Sequence, residues 1–250
     1  MKLAYGSSFV ALALLLGGCA HHPADNPADP LEPVNRVVFT INDKADKYAL
    51  KPVARAYKYV VPEPARTGVT NVFDNLDEPR NIVNALFQLK FKQSAVNLGR
   101  LLLNTVAGLG GLFDVASEVG LAPHTEDFGQ TLGYWGVGEG WYLMLPLLGP
   151  SDTRDFTGFI VDMPTQFTFY LPGGQDPLRY GSQFLNVVNF RAGLLGTDRI
   201  LDEQFDRYLF IRTAFLQRRQ SLVYDGNPPP EDFVVPDDDE PAPAEPAKKQ

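Results

Sequence analysis

The spacing of apolar and polar residues is helical along most of this chain. From Pro30 to Tyr48, apolar residues recur three or four positions apart after Asp29, which predicts one amphipathic helix with an aspartate cap. Prolines 52, 62, 64 and 79 are expected to divide the next segment into short helices or turns. Further helices are predicted over residues 81–89, 91–106, 112–119, 126–134, 153–161, 178–195 and 199–224. The pattern predicts an all-α protein with many interruptions.

Two of these helices distribute their polar residues in an unusual way. In 91–106 a narrow polar stripe is spaced by four, three and four residues, while apolar residues cover most of the remaining surface. This first polar stripe consists of Gln93, Asn97, Arg100 and Asn104. In 178–195 a second polar stripe contains Gln183, Asn186 and Asn189. A surface helix of a soluble protein has a broad polar face and a narrower apolar one, so both helices are inverted.

Two environments explain an inverted helix. Both helices could lie at the centre of a soluble core in which their amides pair internally. Alternatively, their apolar faces contact lipid and the polar stripes line a wet channel. The helical pattern alone does not separate the two environments.

The last predicted helix places Arg212 and Arg219 on a mostly apolar face. A guanidinium in such a place can bind the phosphate or carboxylate of a ligand, because it is weakly hydrated and forms bidentate contacts. It can equally form an ion pair with an acid such as Asp155 or Glu126. Both interpretations stay open, with the ion pair favoured.

Residues 133–142 combine glycines with aromatic residues. Gly136, Gly138 and Gly140 permit a hinge or a tight loop. The flanking Trp135 and Trp141 suit a membrane interface. An ordinary irregular turn with packed aromatics explains the segment nearly as well.

The N-terminus has the form of a lipoprotein signal. A lysine precedes an apolar run of about 14 residues, which is shorter than the ~20 that a membrane-spanning helix needs. Leu16-Gly17-Gly18-Cys19 resembles a bacterial lipobox, which implies that residues 1–18 are removed and that Cys19 carries acyl chains. Because Ala20 follows instead of aspartate, the resemblance implies sorting to the outer membrane, on its periplasmic side. This location favours lipid-facing helices.

Composition restricts the remaining possibilities. Residues 19–30 form a tether with three prolines, and residues 225–250 are an acidic, proline-rich tail that we expect to be disordered. The formal net charge of -8 gives no global positive field to hold nucleic acid, so we expect no nucleic-acid partner. One cysteine and three histidines leave little material for a metal or thiol centre, so we expect no cofactor.

Enzymatic signatures are weak. The sequence contains no nucleophile elbow, zincin helix or P-loop. Lone His124 lies beside a proline and is interpreted as structural. The acid pairs Glu126/Asp127 and Asp152/Asp155 stand at predicted helix starts, where carboxylates cap helices. We therefore expect a protein that is not an enzyme. A lipid-anchored periplasmic cell-wall enzyme and a structural porin-associated lipoprotein are the alternatives.

Several segments together resemble the MlaA (VacJ) family of outer-membrane lipoproteins. The similarity extends from about residue 29 to residue 219. It is carried by DPLEPVNR (29–36), VPEPARTG (61–68), NLDEP (75–79), NTVAGLGGLFD (104–114), EDFGQTLG (126–133) and LPLLGPS (145–151).

The resemblance implies a structure and a transport pathway. Family members resemble a ring or doughnut of amphipathic helices embedded in the outer membrane, with a central amphipathic channel. They associate with trimeric porins and pass mislocalised phospholipids from the outer leaflet to a soluble periplasmic lipid carrier. The carrier delivers these lipids to an ABC-type transporter in the inner membrane, and lipid asymmetry is maintained. Both polar stripes are then channel-lining candidates in a domain spanning 31–224.

Overall fold

The computed structural model describes residues 29–165 and 177–229. The proposed signal peptide, Cys19, most of the tether and the tail from residue 230 lie outside the described residues. The predictions for those segments therefore stay predictions.

The described chain is mainly helical and carries one small hairpin. The elements are α1 (Glu32–Ala45), a π-helical turn (Asp46–Leu50), α2 (Lys51–Val60), α3 (Glu63–Phe87), α4 (Phe91–Val106), α5 (Val115–Glu118), α6 (Phe128–Tyr134), β1 (Tyr142–Leu145), β2 (Gly149–Asp152), α7 (Thr153–Asp162), a 3₁₀ turn (Met163–Thr165), α8 (Pro177–Leu194), α9 (Asp198–Asp202) and α10 (Arg207–Val223).

The prolines have different effects. Pro64 occupies the first turn of α3, where a missing N–H is tolerated, and Pro52 follows the π-helical turn through which α1 continues into α2. Pro79 lies inside α3, which runs unbroken for 25 residues. The expectation that Pro79 divides the segment is therefore wrong. An interior proline costs about 3 kcal/mol, but α3 packs against α4, α6 and α8, and these contacts offset that cost.

Other helix boundaries differ less. The predicted helix over 112–119 shortens to α5, and the predicted helix over 199–224 divides into α9 and α10. The division falls before Asp206, whose carboxylate caps α10 by accepting a hydrogen bond from the Leu209 N–H at 3.1 Å. Strands β1 and β2 were not predicted. They pair antiparallel around a three-residue connection in which Leu147 has a φ of 62°.

Contacts between the elements form a closed circle. Helix α1 packs against β1, β2 against α10, α10 against α6, α6 against α3, α3 against α8, and α8 against α2. The π-helical turn joins α2 back to α1. Helix α4 lies against α3, and α7 lies against α6. The prediction of a mainly helical ring is confirmed.

The two ends of the domain meet at buried Asp29. Its carboxylate accepts hydrogen bonds from Asn35 Nδ2 at 2.8 Å, from Arg212 Nη1 at 2.8 Å and from the Tyr208 hydroxyl. Asn35 also donates to the Tyr142 carbonyl at 3.0 Å and accepts from the Met144 N–H at 2.9 Å. One carboxylate and one amide therefore join α1, β1 and α10 and close the ring.

The distribution of burial is inverted relative to a typical soluble domain. Among the described residues, twenty polar or charged side chains are buried but only nine hydrophobic ones, and thirty-nine large hydrophobic side chains are exposed. Four of the nine buried hydrophobic residues are alanines. Within residues 29–165 and 177–229, no helix combines the length and apolar composition needed to cross a membrane. Polar contacts, more than a hydrophobic core, hold the elements together.

The crossing of α6 and α7 depends on two glycines and gives a first prediction. A Cβ at Gly158 would overlap with the backbone nitrogen of Gly129, whereas a Cβ at Gly193 in α8 meets nothing within 4 Å. We expect Gly158→Ala to lower the free energy of unfolding by about 1–3 kcal/mol. Gly193→Ala, the matched control, should raise it by about 0.5–1 kcal/mol. Denaturation of detergent-solubilised protein measures both, and equal stability of the two variants would contradict the close crossing.

Candidate functional site

Three members of the first polar stripe, Asn97, Arg100 and Asn104, form hydrogen bonds with other elements of the protein. Asn97 is fully buried, and its Nδ2 donates to the His124 carbonyl at 2.9 Å. Asn104 accepts a hydrogen bond from the Ala116 N–H at 2.9 Å and donates to Asp114 at 3.0 Å. These two amides attach α4 to α5 and to the segment that precedes α6.

Arg100 is the charged member of that stripe. Its guanidinium donates to Glu78 at 2.9 Å, to Asp114 at 3.2 Å and to the Leu121 carbonyl at 2.6 Å. Burial raises the pKa of Glu78, and the hydrogen bond from Arg100 offsets part of that rise. Gln93 is half-buried at the start of the same face. Arg100 therefore ties α4 to α3 and α5.

The outward face of α4 is apolar. Leu98, Leu102 and Val106 are 47%, 57% and 78% exposed. The amides of α4 pair internally, as expected for a helix in a soluble core. Its apolar face points outward, as expected for a helix that contacts lipid. Asn97, Arg100 and Asn104 are buried in the contacts that α4 makes with neighbouring elements.

The second polar stripe borders a large cleft between α3 and α8. The cleft has a volume of about 480 Å³, and Ser182, Gln183 and Asn186 of α8 form its polar wall. The opposite wall is mostly apolar and includes Val69, Val72, Phe73, Leu76 and Leu112. Asn189 is buried instead, where it accepts from the Tyr57 hydroxyl at 3.0 Å and donates to Thr70 at 2.8 Å. The structure therefore brings Gln183 and Asn186 together in the cleft and leaves Asn189 in a helix joint.

A second, smaller cleft of about 220 Å³ is also lined by Arg80. The small cleft is more polar than the large one. Its other lining residues come from α6, β2, α7 and α10 and include Asp127, Ser151, Asp155, Asp162 and Arg219. The two clefts thus extend from α8 to α10 around one arginine.

Both arginines proposed from the sequence form ion pairs. Arg219 donates to the two oxygens of Asp127 at 2.7 and 2.9 Å and to Asp155 at 2.8 Å. Burial opposes ionisation of Asp127, but the hydrogen bonds and charge of Arg219 outweigh it and lower the pKa of Asp127 to about 2. Arg212 is paired with Asp29. Of the two suggested partner acids, the structure places Asp155 beside Arg219.

Glu126, the other suggested partner, lies elsewhere. It accepts hydrogen bonds from Lys90 at 3.0 Å and from Gln88 at 2.8 Å. The helix-capping prediction is confirmed for two of the four acids. Asp127 accepts from the Gln130 N–H at 2.8 Å, and Asp152 accepts from the Asp155 N–H at 2.6 Å.

The glycine and aromatic segment forms tight turns. Gly136 and Gly140 have φ values of 87° and 71°, which favour glycine, and a Cβ at Gly140 would overlap with the Thr153 hydroxyl. Gly138 has neither a positive φ nor a neighbouring atom within 4 Å of the position that a Cβ would occupy. Trp135 donates from Nε1 to the Phe87 carbonyl at 3.1 Å and stacks edge-on against Phe128. The tight-loop interpretation describes the segment, and hinge motion at Gly138 stays a prediction.

Sequence reasoning overlooked Arg80. A signal for it exists, because Val69, Phe73, Leu76 and Arg80 are spaced by four, three and four residues, and all four line the large cleft. The expected break at Pro79 concealed this spacing by dividing the helix.

Comparison with known proteins now decides the family. The family model described as MlaA lipoprotein matches residues 27–222. This chain belongs to the MlaA lipoprotein family. A relative in Escherichia coli (strain K12), the intermembrane phospholipid transport system lipoprotein MlaA, is 38% identical over 233 residues, covering 89% of this chain and 91% of that protein. The Haemophilus influenzae protein of the same name is 34% identical, with 90% and 93% covered.

A solved structure agrees with this family membership. It was described in work on the structural basis for maintenance of bacterial outer membrane lipid asymmetry. Its TM-score with this chain is 0.70 at 37% identity, and the match covers 78% of this chain and 98% of that one. The resemblance inferred from the sequence segments is confirmed.

Asn104 lies in a buried contact between helices, and Asn186 lies at an exposed position of the cleft wall. Substitutions at the two positions can therefore be compared for their effect on stability. Asn104→Leu removes a buried acceptor and a buried donor, and leaves the Ala116 N–H unpaired, while Asp114 keeps its contacts with Arg100 and Ser117. We expect it to lower the free energy of unfolding by about 1–3 kcal/mol for the orphaned N–H. Asn186→Leu, at an exposed position of α8, should change stability by less than about 0.5 kcal/mol. Thermal denaturation in detergent compares them, and an unaffected Asn104→Leu protein would argue against a structural first stripe.

Asp152 gives a prediction for pH. Burial, and then repulsion from Asp155, raises the pKa of Asp152 to about 6 in the folded protein. Because this is above the unfolded value of about 4, folding takes up a proton, and stability rises as the pH falls. From about pH 7 to about pH 5, the wild-type protein should gain about 1 kcal/mol more stability than Asp152→Asn, which retains a capping side chain. Parallel pH profiles of denaturation for the two proteins would exclude this role.

Proposed function

We propose that this chain is an outer-membrane lipoprotein that removes mislocalised phospholipids from the outer leaflet and passes them to a soluble periplasmic lipid carrier, thereby maintaining lipid asymmetry. The names of the relatives and the subject of the solved structure support transport of this kind. The observation that carries the proposal is the large cleft, which has one apolar wall and one amide wall in the same space.

The chemistry of the cleft suits an amphipathic molecule. Acyl chains would lie against Val72, Phe73 and Leu76 of α3, and the head group would pass along Gln183 and Asn186 of α8. Uncharged amides lower the cost of moving a polar head group past apolar surroundings without binding it tightly. We propose that Gln183 and Asn186 line the lipid path. Residues of the first polar stripe and Asn189 instead hold the ring together.

The proposed location follows from the outer surface of the ring. Exposed hydrophobic side chains on α4 and α8, including Leu102, Val106, Phe184 and Phe190, would contact lipid. Cys19 would carry the acyl anchor, and residues 19–30 would tether it to the domain at 31–224. Association with a trimeric porin and delivery to the periplasmic carrier are part of the same proposal.

The acidic residues considered as catalytic candidates take part in structural contacts, which is consistent with transport without catalysis. Asp127 and Asp155 are both paired with Arg219, and Asp152 caps α7. A cell-wall enzyme needs a carboxylic acid and a carboxylate free to act on substrate. We therefore propose a passive path in which partners supply the direction.

The proposal predicts the behaviour of a gene deletion and of one cleft variant. Deletion should raise surface-exposed phospholipid and detergent sensitivity, and the wild-type gene should restore both to normal. Gln183→Leu/Asn186→Leu should accumulate and pull down porin normally but fail to restore asymmetry, because leucines dry the polar wall. Gly193→Ala serves as the control in α8. Normal surface lipid with altered peptidoglycan after deletion would support the enzyme alternative, and porin binding without a lipid phenotype would support the structural one.

A further inference from the structure

Arg80 stands at the junction of the two clefts. It lies on α3, one residue after Pro79, and its side chain is 23% exposed. Arg80 lines the large cleft, whose α3 wall is mostly apolar, and it also lines the small polar cleft. A guanidinium in this position borders both an apolar surface and a polar one.

The hydrogen bonding of Arg80 is incomplete. Its Nη2 reaches Asp77 at 3.4 Å, a long contact, and its buried Nε has no hydrogen-bond partner among the described residues. Arg100 and Arg219, in contrast, each make several contacts of 3.0 Å or less. A partly buried guanidinium with unused donors is costly, and an oxyanion ligand would satisfy them.

Asp77, the present partner, contacts Arg80 only through this long hydrogen bond. Burial raises the pKa of Asp77, and the charge of Arg80 lowers it only in part. No second basic residue lines the large cleft among the described residues.

We propose that Arg80 binds the phosphodiester group of a phospholipid whose acyl chains lie in the large cleft. This inference rests on the proposed transport function and assigns its phosphate contact to one residue. Arginine suits the task because its planar donors can form two parallel hydrogen bonds to phosphate oxygens. Lipids that share the acyl chains but lack phosphate would not be recognised. Arg80 would thus recognise the phosphate that all phospholipids share, and not the head-group alcohol esterified to that phosphate.

The test compares two lipids on the full-length acylated protein in non-ionic detergent. Phosphatidylethanolamine and diacylglycerol with the same acyl chains are titrated, and Kd is measured for each. The wild-type protein should prefer the phospholipid. Arg80→Gln should weaken phospholipid binding by about tenfold or more and leave diacylglycerol binding unchanged, because one charge-assisted contact is lost. Arg80→Lys, which retains the charge, should recover part of the preference.

Controls separate the possible failures. Arg199→Gln removes an arginine that is 87% exposed and should bind both lipids as the wild type does. A wild-type protein that binds neither lipid would refute the transport proposal itself. A preference for phospholipid that survives in Arg80→Gln would refute only the Arg80 assignment. Displacement of phospholipid by inorganic phosphate alone, without diacylglycerol binding, would indicate a free-phosphate site and overturn the inference. Unchanged melting temperatures show that the variants are folded.

Discussion

The closed ring depends on polar side chains that pair across helix joints. Helices whose large apolar side chains point outward bury little hydrophobic surface against one another, so another interaction has to fix their positions. Here carboxylates, amides and guanidinium groups do so. Asn35 replaces a strand neighbour by bonding both to the Tyr142 carbonyl and to the Met144 N–H. Such contacts are directional and need specific partners, so each joint has a defined geometry.

This pairing also determines which polar side chains remain available to line the clefts. Arg100 and Arg212 form ion pairs with the buried acids Glu78 and Asp29, and Arg219 forms one with the partly exposed Asp127. Breaking a buried ion pair by removing one partner is strongly destabilising. Polar groups that no joint consumes lie at the cleft walls, with Gln183 and Asn186 on one side and Arg80 on the other. A cleft with both apolar and polar walls can therefore exist beside helix contacts whose charged groups are paired.

The sequence predicted the helices, the inverted polarity and the caps at Asp127 and Asp152, because these depend on local spacing and local hydrogen bonds. It did not predict which stripe lines a cleft, since the partners of Asn97 and Asn104 belong to other elements. The effect of Pro79 was predicted wrongly for a related reason. Contacts of α3 with other helices outweighed the local tendency of proline to end a helix. The hairpin was missed since its strands have four residues each and are bounded by glycine and proline.

The Asp29 joint also has a consequence for the order of folding. Asp29 and Arg212 are separated by 183 positions in sequence, so the circle cannot close until nearly the whole domain has been synthesised. Contacts this distant carry a large loop-closure entropy and form slowly compared with helix pairs such as α3 and α4. Until closure, polar joints and outward apolar faces are exposed together. A chain whose ring has not yet closed therefore exposes surface that is prone to aggregation.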